Sequence, residues 1–284
     1  MQDNLLVTTG WLQRHLDAPD LRVVDIRGHV IPASETPPHY FNHRDDWLEA
    51  HIPGAVFVDW VHEITDPGDP RHAPVAPQAR YQAFARRIGI SENTRVVAYD
   101  DADGMFAARL WWTLLYYGHQ QVAVLDGGWQ RWVAEGRPVT AGVPAVASGN
   151  FVARPNEDLR RSGAQVLAGL ESAERRLVDV RSPSEYDGQS SRARRFGHIP
   201  GALNIPRPAL VADDGGLRPA EELRALFAQH GLDDEAEVVT YCNAGVSASF
   251  GMLALRLAGF SDVAVYDGSW KDWGNDDSKP VAVT

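Results

Sequence analysis

The stretch EVVTYCNAGVSASFGMLALRL, residues 237–257, places three elements in immediate succession. Val238–Tyr241 is the kind of short apolar and β-branched run that forms a buried parallel strand. Ser249–Leu257 has a helical pattern, and the residues between are small apart from Val246. Ligands of open parallel sheets bind at the carboxyl ends of the strands. The sequence therefore predicts Cys242 at the kind of position where such sheets bind ligands.

The same series of motifs occurs earlier in the chain. Four segments have a counterpart 141–154 residues later, in the same order. The pairs are LRVVDIR (21–27) with RLVDVR (176–181), HIPGA (51–55) with HIPGA (198–202), RVVAYD (95–100) with EVVTYC (237–242), and VAVLDGGWQRW (122–132) with VAVYDGSWKDW (263–273). Two copies with a slowly drifting offset indicate duplicated domains, because a solenoid needs more copies and a shorter period.

The duplication and the strand–helix alternation together predict the architecture. Residues 136–158 are rich in Gly, Pro, Ala and Val and lack a helical period, which is typical of a linker. With a boundary near residue 148, we predict domains at 1–145 and 152–284. Short Val-rich runs alternate with helical patterns in each copy, so the fold class is α/β, with a mostly parallel sheet flanked by helices in each domain.

Composition narrows the possible functions. The chain has 284 residues, 44% hydrophobic residues and a formal net charge of −11, which disfavours nucleic-acid binding. No apolar run reaches the ~18 residues of a membrane span, and no signal peptide is evident, so we expect no membrane association. The single cysteine excludes an internal disulfide, and C-x-x-C pairs are absent. We expect a cytoplasmic protein without a metal or cofactor.

The residues after Cys242 suit a nucleophilic cysteine. They form the predicted cradle, Asn243, Ala244, Gly245, Val246, Ser247 and Ala248. Small residues let the backbone curl so that N–H groups point inward, and the following helix N-terminus adds positive potential. Both effects favour a thiolate, or a persulfide anion. Taken alone, Cys242 is more typical of a small buried apolar residue, but its place at a strand end before this loop favours the reactive role.

The motifs also resemble a known family, the tandem rhodanese-like sulfurtransferases. The resemblance spans nearly the whole chain and rests on motifs of the second copy, which are D-x-R at 179–181, EYDG at 185–188, GHIPGA at 197–202, YC-x-x-G-V at 241–246 and VYDGSW at 265–270. In this family only the C-terminal domain keeps its cysteine, and here Asp100 stands at the position equivalent to Cys242. The resemblance implies an inactive first domain. It also implies transfer of a sulfane sulfur through a Cys242 persulfide to cyanide or a thiol, with a protein as a further candidate acceptor.

The loop also bears on the sulfur donor. Members that prefer thiosulfate usually carry a basic residue in the loop, and those that prefer 3-mercaptopyruvate usually have C-G-[ST]-G-V-T-A. The neutral loop of this chain resembles the second type but has Ala244 where that type has a hydroxyl. Ser247 and Ser249 are alternative hydroxyls, and each is equally suited to helix capping. Both donors therefore stay open.

Substrate-binding residues are predicted largely from the same resemblance. Arg195 matches an arginine of bacterial relatives, and Arg181 is a nearby alternative, as are Arg192 and Arg194, although the RARR run is equally typical of a solvated loop. His72 aligns with a histidine of the mercaptopyruvate enzymes and is predicted to act on a substrate proton. The family's other substrate arginine falls at Glu185, so that contact is lost or replaced.

Two other functions would also use a reactive cysteine in a loop. A cysteine phosphatase of the C-x₅-R type needs an arginine where this chain has Ala248, and phosphate would lose its bidentate partner. A persulfide carrier or redox-sensing module that docks to a partner would use the same loop. Steady-state turnover separates an enzyme from such a carrier.

Overall fold

The structure is a computed structural model that describes residues 5–32, 35–36, 38–71, 74–172 and 174–284. The chain forms two compact units. The first comprises residues 1–67, 75–156 and 213–217, and the second comprises residues 68–74, 157–212 and 218–284. The predicted limits of 1–145 and 152–284 stay predictions. Residues 68–74, from the first half of the sequence, belong to the second unit, and residues 213–217, from the second half, belong to the first. None of the helices in the described part of the chain has the length and apolar character to cross a membrane.

The first unit is built on a five-stranded parallel sheet in the order β1-β7-β6-β2-β5. A separate antiparallel pair, β3-β4, lies in the same unit. The strands are β1 Leu6–Val7, β2 Leu21–Asp25, β3 Gly28–Val30, β4 Tyr40–Asn42, β5 Val56–Phe57, β6 Arg95–Tyr99 and β7 Val122–Leu125. The helices are α1 Thr9–His15, α2 Arg44–Glu49, α3 Gln78–Arg87, α4 Met105–Tyr116 and α5 Gly128–Ala134.

The second unit repeats this plan with a parallel sheet in the order β10-β9-β11-β12-β8. The strands are β8 Arg160–Arg161, β9 Arg175–Asp179, β10 Leu203–Asn204, β11 Glu237–Tyr241 and β12 Val263–Tyr266. The α-helices are α6 Gly163–Ala168, α7 Pro183–Tyr186, α8 Ala220–Gln229, α9 Val246–Leu257 and α10 Ser269–Trp273, and 3₁₀ turns span Glu157–Leu159 and Arg207–Leu210. The predicted α/β architecture, with a parallel sheet flanked by helices in each half, is confirmed.

Burial on both faces explains the Val-rich strands. Val238 and Val239 are adjacent in β11, so their side chains point to opposite faces of the sheet, and both are fully buried. Val239 packs with Trp270 and Trp273 in one core cluster. On the other face, Thr240 donates a hydrogen bond to the carbonyl of Ala248 in α9. β11 is therefore held from both sides, and its carboxyl end is a rigid support for the next residue.

The repeated HIPGA motif makes the same contact with a strand-end tyrosine in both units. In the second, the Tyr241 hydroxyl at the end of β11 accepts the Ile199 N–H at 3.2 Å, and in the first, Tyr99 accepts the Ile52 N–H at 3.2 Å. The HIPGA histidine of the second unit, His198, stacks on Tyr186 with 3.7 Å between ring centroids. Because both units contain the tyrosine contact, we interpret the HIPGA residues and the two tyrosines as structural.

Candidate active site

Cys242 directly follows β11, the central strand of the second sheet, and directly precedes the turn into α9. The residue is buried, with 4% of its surface exposed. Its carbonyl accepts the Trp270 N–H at 2.9 Å, and the carbonyl of Asn243 accepts the Lys271 N–H at 2.9 Å. The first turn of α10 therefore holds the backbone on both sides of the Cys242–Asn243 bond.

The predicted cradle differs from the observed loop in one respect. Only Asn243–Gly245 form the turn, and α9 already begins at Val246, so Val246–Ala248 lie in its first helical turn. The prediction that all six residues precede the helix is wrong. Gly245 has φ +81°, a left-handed conformation that glycine adopts without strain and that starts the helix early. The first-turn N–H groups lack intrahelical partners, and this end of the helix carries positive potential close in sequence to Cys242.

The side chain of Ser269 holds the loop through hydrogen bonds to its backbone. The sequence analysis did not identify this residue. Its hydroxyl oxygen accepts the N–H groups of Cys242 and Gly245, both at 3.1 Å, and donates to the Tyr266 carbonyl at 2.8 Å. Ser269 is fully buried and has φ +51°, a costly conformation for a residue with a side chain. The signal was available in the duplicated motif, where DGSW of the second copy corresponds to DGGW of the first.

The equivalent residue in the first unit, Gly128, shows why the difference matters. Gly128 has nearly the same conformation, with φ +53°, but a Cβ atom there would lie 2.5 Å from the carbonyl oxygen of Asp100. The first unit therefore has no room for a serine at this position. In the second unit, the left-handed conformation of Ser269 is strained, and its hydrogen bonds to Cys242 and Gly245 offset that strain.

We expect Ser269→Ala to lower kcat for the reaction at Cys242 roughly tenfold and to destabilise the protein by about 1–3 kcal/mol, because two buried N–H groups lose their acceptor. Ser269→Gly removes the same hydroxyl but relieves the left-handed strain, so it should lose a similar factor in kcat with a smaller loss of stability. Thermal melts and steady-state kinetics on both variants test this. Full activity in both variants would show that the hydroxyl does not position the loop.

Asn243 is hydrogen-bonded to the carboxylate of Glu185. Its side-chain amide donates to Glu185 Oε1 at 2.7 Å, while its own Oδ1 is buried without a hydrogen-bond partner. Glu185 lies in the short helix α7, and its other oxygen, Oε2, accepts the Ser182 hydroxyl at 3.0 Å. The residue next to Cys242 is therefore coupled to a fixed negative charge.

Arg181 packs on Trp270, whose backbone N–H donates to the Cys242 carbonyl. Its guanidinium makes a double contact with Asp179, donates to the Gly197 carbonyl at 2.9 Å and lies 4.5 Å from the ring centre of Trp270. Arg27 of the first unit pairs with Asp25 in the same way, which favours a structural role for this ion pair. One group distinguishes Arg181, because its Nη1 is buried without a hydrogen-bond partner. A substrate oxygen that reached this nitrogen would find an unused donor.

Arg195 is engaged elsewhere in the second unit. Its guanidinium donates to the carbonyl oxygens of Gly274, Lys279, Trp273 and Asp276, at and beyond the C-terminal end of α10. Four of its five N–H groups are thereby used. This geometry favours a role in holding the C-terminal tail, and substrate binding by Arg195 stays a prediction that rests on the remaining N–H.

The predicted His72 lies outside the described residues. The neighbouring Arg71 belongs to the second unit and donates to Asp272 Oδ1 of α10 at 2.9 Å as well as to Asp69. These hydrogen bonds, chiefly the one to Asp69, raise the pKa of Arg71 above its ordinary value. The segment up to Arg71 is thus anchored to the helix whose first turn holds the Cys242 loop.

The loop at Asp100 provides an internal comparison. Its carboxylate is fully buried and accepts four backbone N–H groups, with both oxygens used. The donors are Ala102 (2.9 Å), Gly104 (2.9 Å), Phe106 (2.7 Å) and Ala107 (2.8 Å). Burial raises the pKa of Asp100, and the hydrogen bonds from these N–H groups act in the opposite direction. The loop therefore offsets part of the cost of burying an anion.

The two loops have closely related shapes. α4 starts after Gly104, with φ +83°, and α9 starts after Gly245, with φ +81°. The first-unit turn is one residue longer, which accounts for the change of offset between Asp100/Cys242 and the later motifs. Counted from the helix start, the N–H groups of Ser247 and Ala248 correspond to the Phe106 and Ala107 groups that bind the carboxylate. We therefore expect the loop after Cys242 to stabilise a negative charge on or beyond the sulfur.

Comparison with known proteins matches both halves of the chain to one family. A family model described as the rhodanese-like domain matches residues 8–135 and again residues 162–276. Sulfur carrier protein TtuD of Thermus thermophilus is 35% identical over 291 residues, covering 98% of this chain and 96% of that protein. Thiosulfate sulfurtransferase of Bos taurus is 36% identical over 278 residues, covering 94% of this chain and 91% of that protein.

Among solved structures, SseA of Escherichia coli, a 3-mercaptopyruvate sulfurtransferase, superimposes with a TM-score of 0.83. It is 28% identical in sequence, and the match covers 94% of this chain and 99% of that one. The relatives thus include a thiosulfate-type enzyme, a mercaptopyruvate-type enzyme and a sulfur carrier.

Proposed function

Because the chain belongs to the rhodanese-like family and is a sulfurtransferase, we propose that it moves a sulfane sulfur from thiosulfate or 3-mercaptopyruvate through a persulfide on Cys242 to cyanide or a thiol acceptor. The observation that carries the proposal is the Asp100 loop, in which four N–H groups hold an anion. The related loop in the second unit begins with a cysteine, and a persulfide is also an anion.

The proposed reaction has two displacements. The Cys242 thiolate attacks the outer sulfur of thiosulfate, the S–S bond of the donor breaks, and sulfite leaves with the electron pair. With 3-mercaptopyruvate the thiolate attacks the thiol sulfur and forms the S–S bond, the C–S bond breaks, and the enolate that leaves takes up the proton given up by that sulfur to become pyruvate. Cyanide or a thiolate then attacks the outer sulfur of the persulfide, and the Cys242 thiolate is regenerated. Neither displacement requires a cofactor.

Three residues are proposed to contact the donor. Arg181 offers its unpartnered Nη1 to an anionic oxygen, and Arg195 offers one N–H that the tail does not use. His72 is included on the family resemblance alone, as a group that acts on a substrate proton. The single cysteine suits a reducing compartment, and we include a cytoplasmic location in the proposal.

A second candidate is a persulfide carrier that hands its sulfur to a protein without fast turnover. The similarity to a relative named as a sulfur carrier favours it. Both candidates load sulfur on the same cysteine, so they differ in how fast, and to which acceptor, the persulfide releases its sulfur.

Steady-state assays with thiosulfate and with 3-mercaptopyruvate, each with cyanide as acceptor, test the proposal. We expect many turnovers per molecule with at least one donor, measured as thiocyanate. Loading of one sulfur per chain, followed by release too slow for turnover, would favour the carrier. Absence of loading by either donor would overturn both candidates.

A further inference from the structure

Glu185 holds a negative charge beside the residue that follows Cys242. Both of its oxygens are engaged, Oε1 with the Asn243 amide at 2.7 Å and Oε2 with the Ser182 hydroxyl at 3.0 Å. Oε2 also accepts the Ser182 N–H at 3.4 Å, which is part of a capping box at the start of α7 and fixes the side chain. Because neither partner is charged, these contacts orient the carboxylate without neutralising it.

Among the described residues, Glu185 makes hydrogen bonds to neutral groups and no ion pair. Residues 243–248 carry no charged side chain. Burial lowers the pKa of Arg181, but the carboxylates of Asp179 and, more weakly, Glu185 raise it, and the net shift is upward. The charges of Arg181 and Glu185 therefore interact. The charge of Arg181 is already paired with Asp179, at 2.6 Å between Nη2 and Oδ2. The loop itself is neutral, so an anion that approaches Cys242 is repelled by the negative charge of Glu185.

We infer that Glu185 selects sulfur donors by charge, disfavouring dianions relative to monoanions that deliver sulfur by the same chemistry. The inference rests on the proposed function, since it concerns donors of the same cysteine. Repulsion grows in proportion to the charge of the donor, so a dianion such as thiosulfate suffers about twice the penalty of a monoanion. The arrangement favours monoanionic donors, a class that includes 3-mercaptopyruvate and organic thiosulfonates.

The test compares thiosulfate with methanethiosulfonate, which both carry a sulfane sulfur but differ by one unit of charge. Glu185→Gln keeps a side-chain oxygen for Asn243 and removes the charge. We expect the ratio of kcat/KM for thiosulfate to kcat/KM for methanethiosulfonate to rise roughly fivefold in this variant. Added salt should raise kcat/KM for thiosulfate more in the wild type than in the variant, because it screens the repulsion.

Two further variants separate charge from structure. Glu185→Asp keeps the charge but shortens the side chain, so the donor ratio should stay close to that of the wild type even if overall activity falls. Glu171→Gln removes an exposed carboxylate near the end of α6 and should leave the ratio unchanged. An unchanged ratio in an active Glu185→Gln variant, or the same rise in Glu171→Gln, would overturn the inference alone. A wild type that turns over neither donor would overturn the proposed function and this inference with it.

Discussion

Replacing Cys242 with serine is expected to reduce thiocyanate formation to the uncatalysed level with both thiosulfate and 3-mercaptopyruvate. A hydroxyl has nearly the size of a thiol but is not ionised near neutral pH, and the proposed reaction has no other nucleophile, since the chain has no second cysteine. The loss should appear in kcat rather than in KM, because the substituted atom takes part in the reaction and not in holding the donor.

The variant should remain folded. Cys242 is buried between α10 and the start of α9, and serine fits the same space. Circular dichroism and a thermal melt provide the control, with a shift in Tm of only a few degrees expected. Thiocyanate formation by a folded Cys242→Ser variant at more than a small fraction of the wild-type rate would show that the sulfur passes through another group.

Replacing Asp100 with alanine should have the opposite outcome, a loss of stability with little change in chemistry. Removal of the carboxylate leaves four N–H groups without their acceptor, two of them on the buried residues Phe106 and Ala107, and relief from burying a charge offsets only part of that cost. We expect a destabilisation of roughly 2–3 kcal/mol, or a fall in Tm of about 5–10 °C for the transition of the first unit. Differential scanning calorimetry measures the fall.

Kinetics at a temperature where the variant is folded should give kcat close to that of the wild type. Asp17→Ala removes an exposed carboxylate from the same unit and controls for the change in net charge. Equal melting temperatures for the two variants would show that the N–H groups around Asp100 contribute nothing to stability, and would remove the main support for an anion cradle at Cys242.

Sequence patterns were sufficient for the architecture because they repeat. Val-rich runs before Asp100 and Cys242 gave two parallel sheets, and the paired motifs gave the duplication. The start of α9 was missed because Val246–Ala248 have no helical period of their own, and only the left-handed Gly245 shows where the turn ends.

The surroundings of the site depended on partners that are distant in sequence. Arg195 and Arg181 look alike in the sequence as cations near one motif. In the structure, Arg195 donates to carbonyls some 78 to 84 residues away, whereas Arg181 keeps a buried N–H free. Likewise, nothing local to Glu185 predicts its bond to Asn243, 58 residues later. Local patterns identify a loop, but which charges it faces is decided by packing.

The intact mass of the protein after brief exposure to a sulfur donor tests most directly whether Cys242 carries the transferred sulfur. We predict that the wild type gains one sulfur atom per chain, that peptide mapping places it on Cys242, and that cyanide removes it with formation of one thiocyanate. The Cys242→Ser variant should gain none. Thiocyanate production by the wild type without any sulfur-loaded species, or sulfur loading of the serine variant, would contradict a persulfide on Cys242.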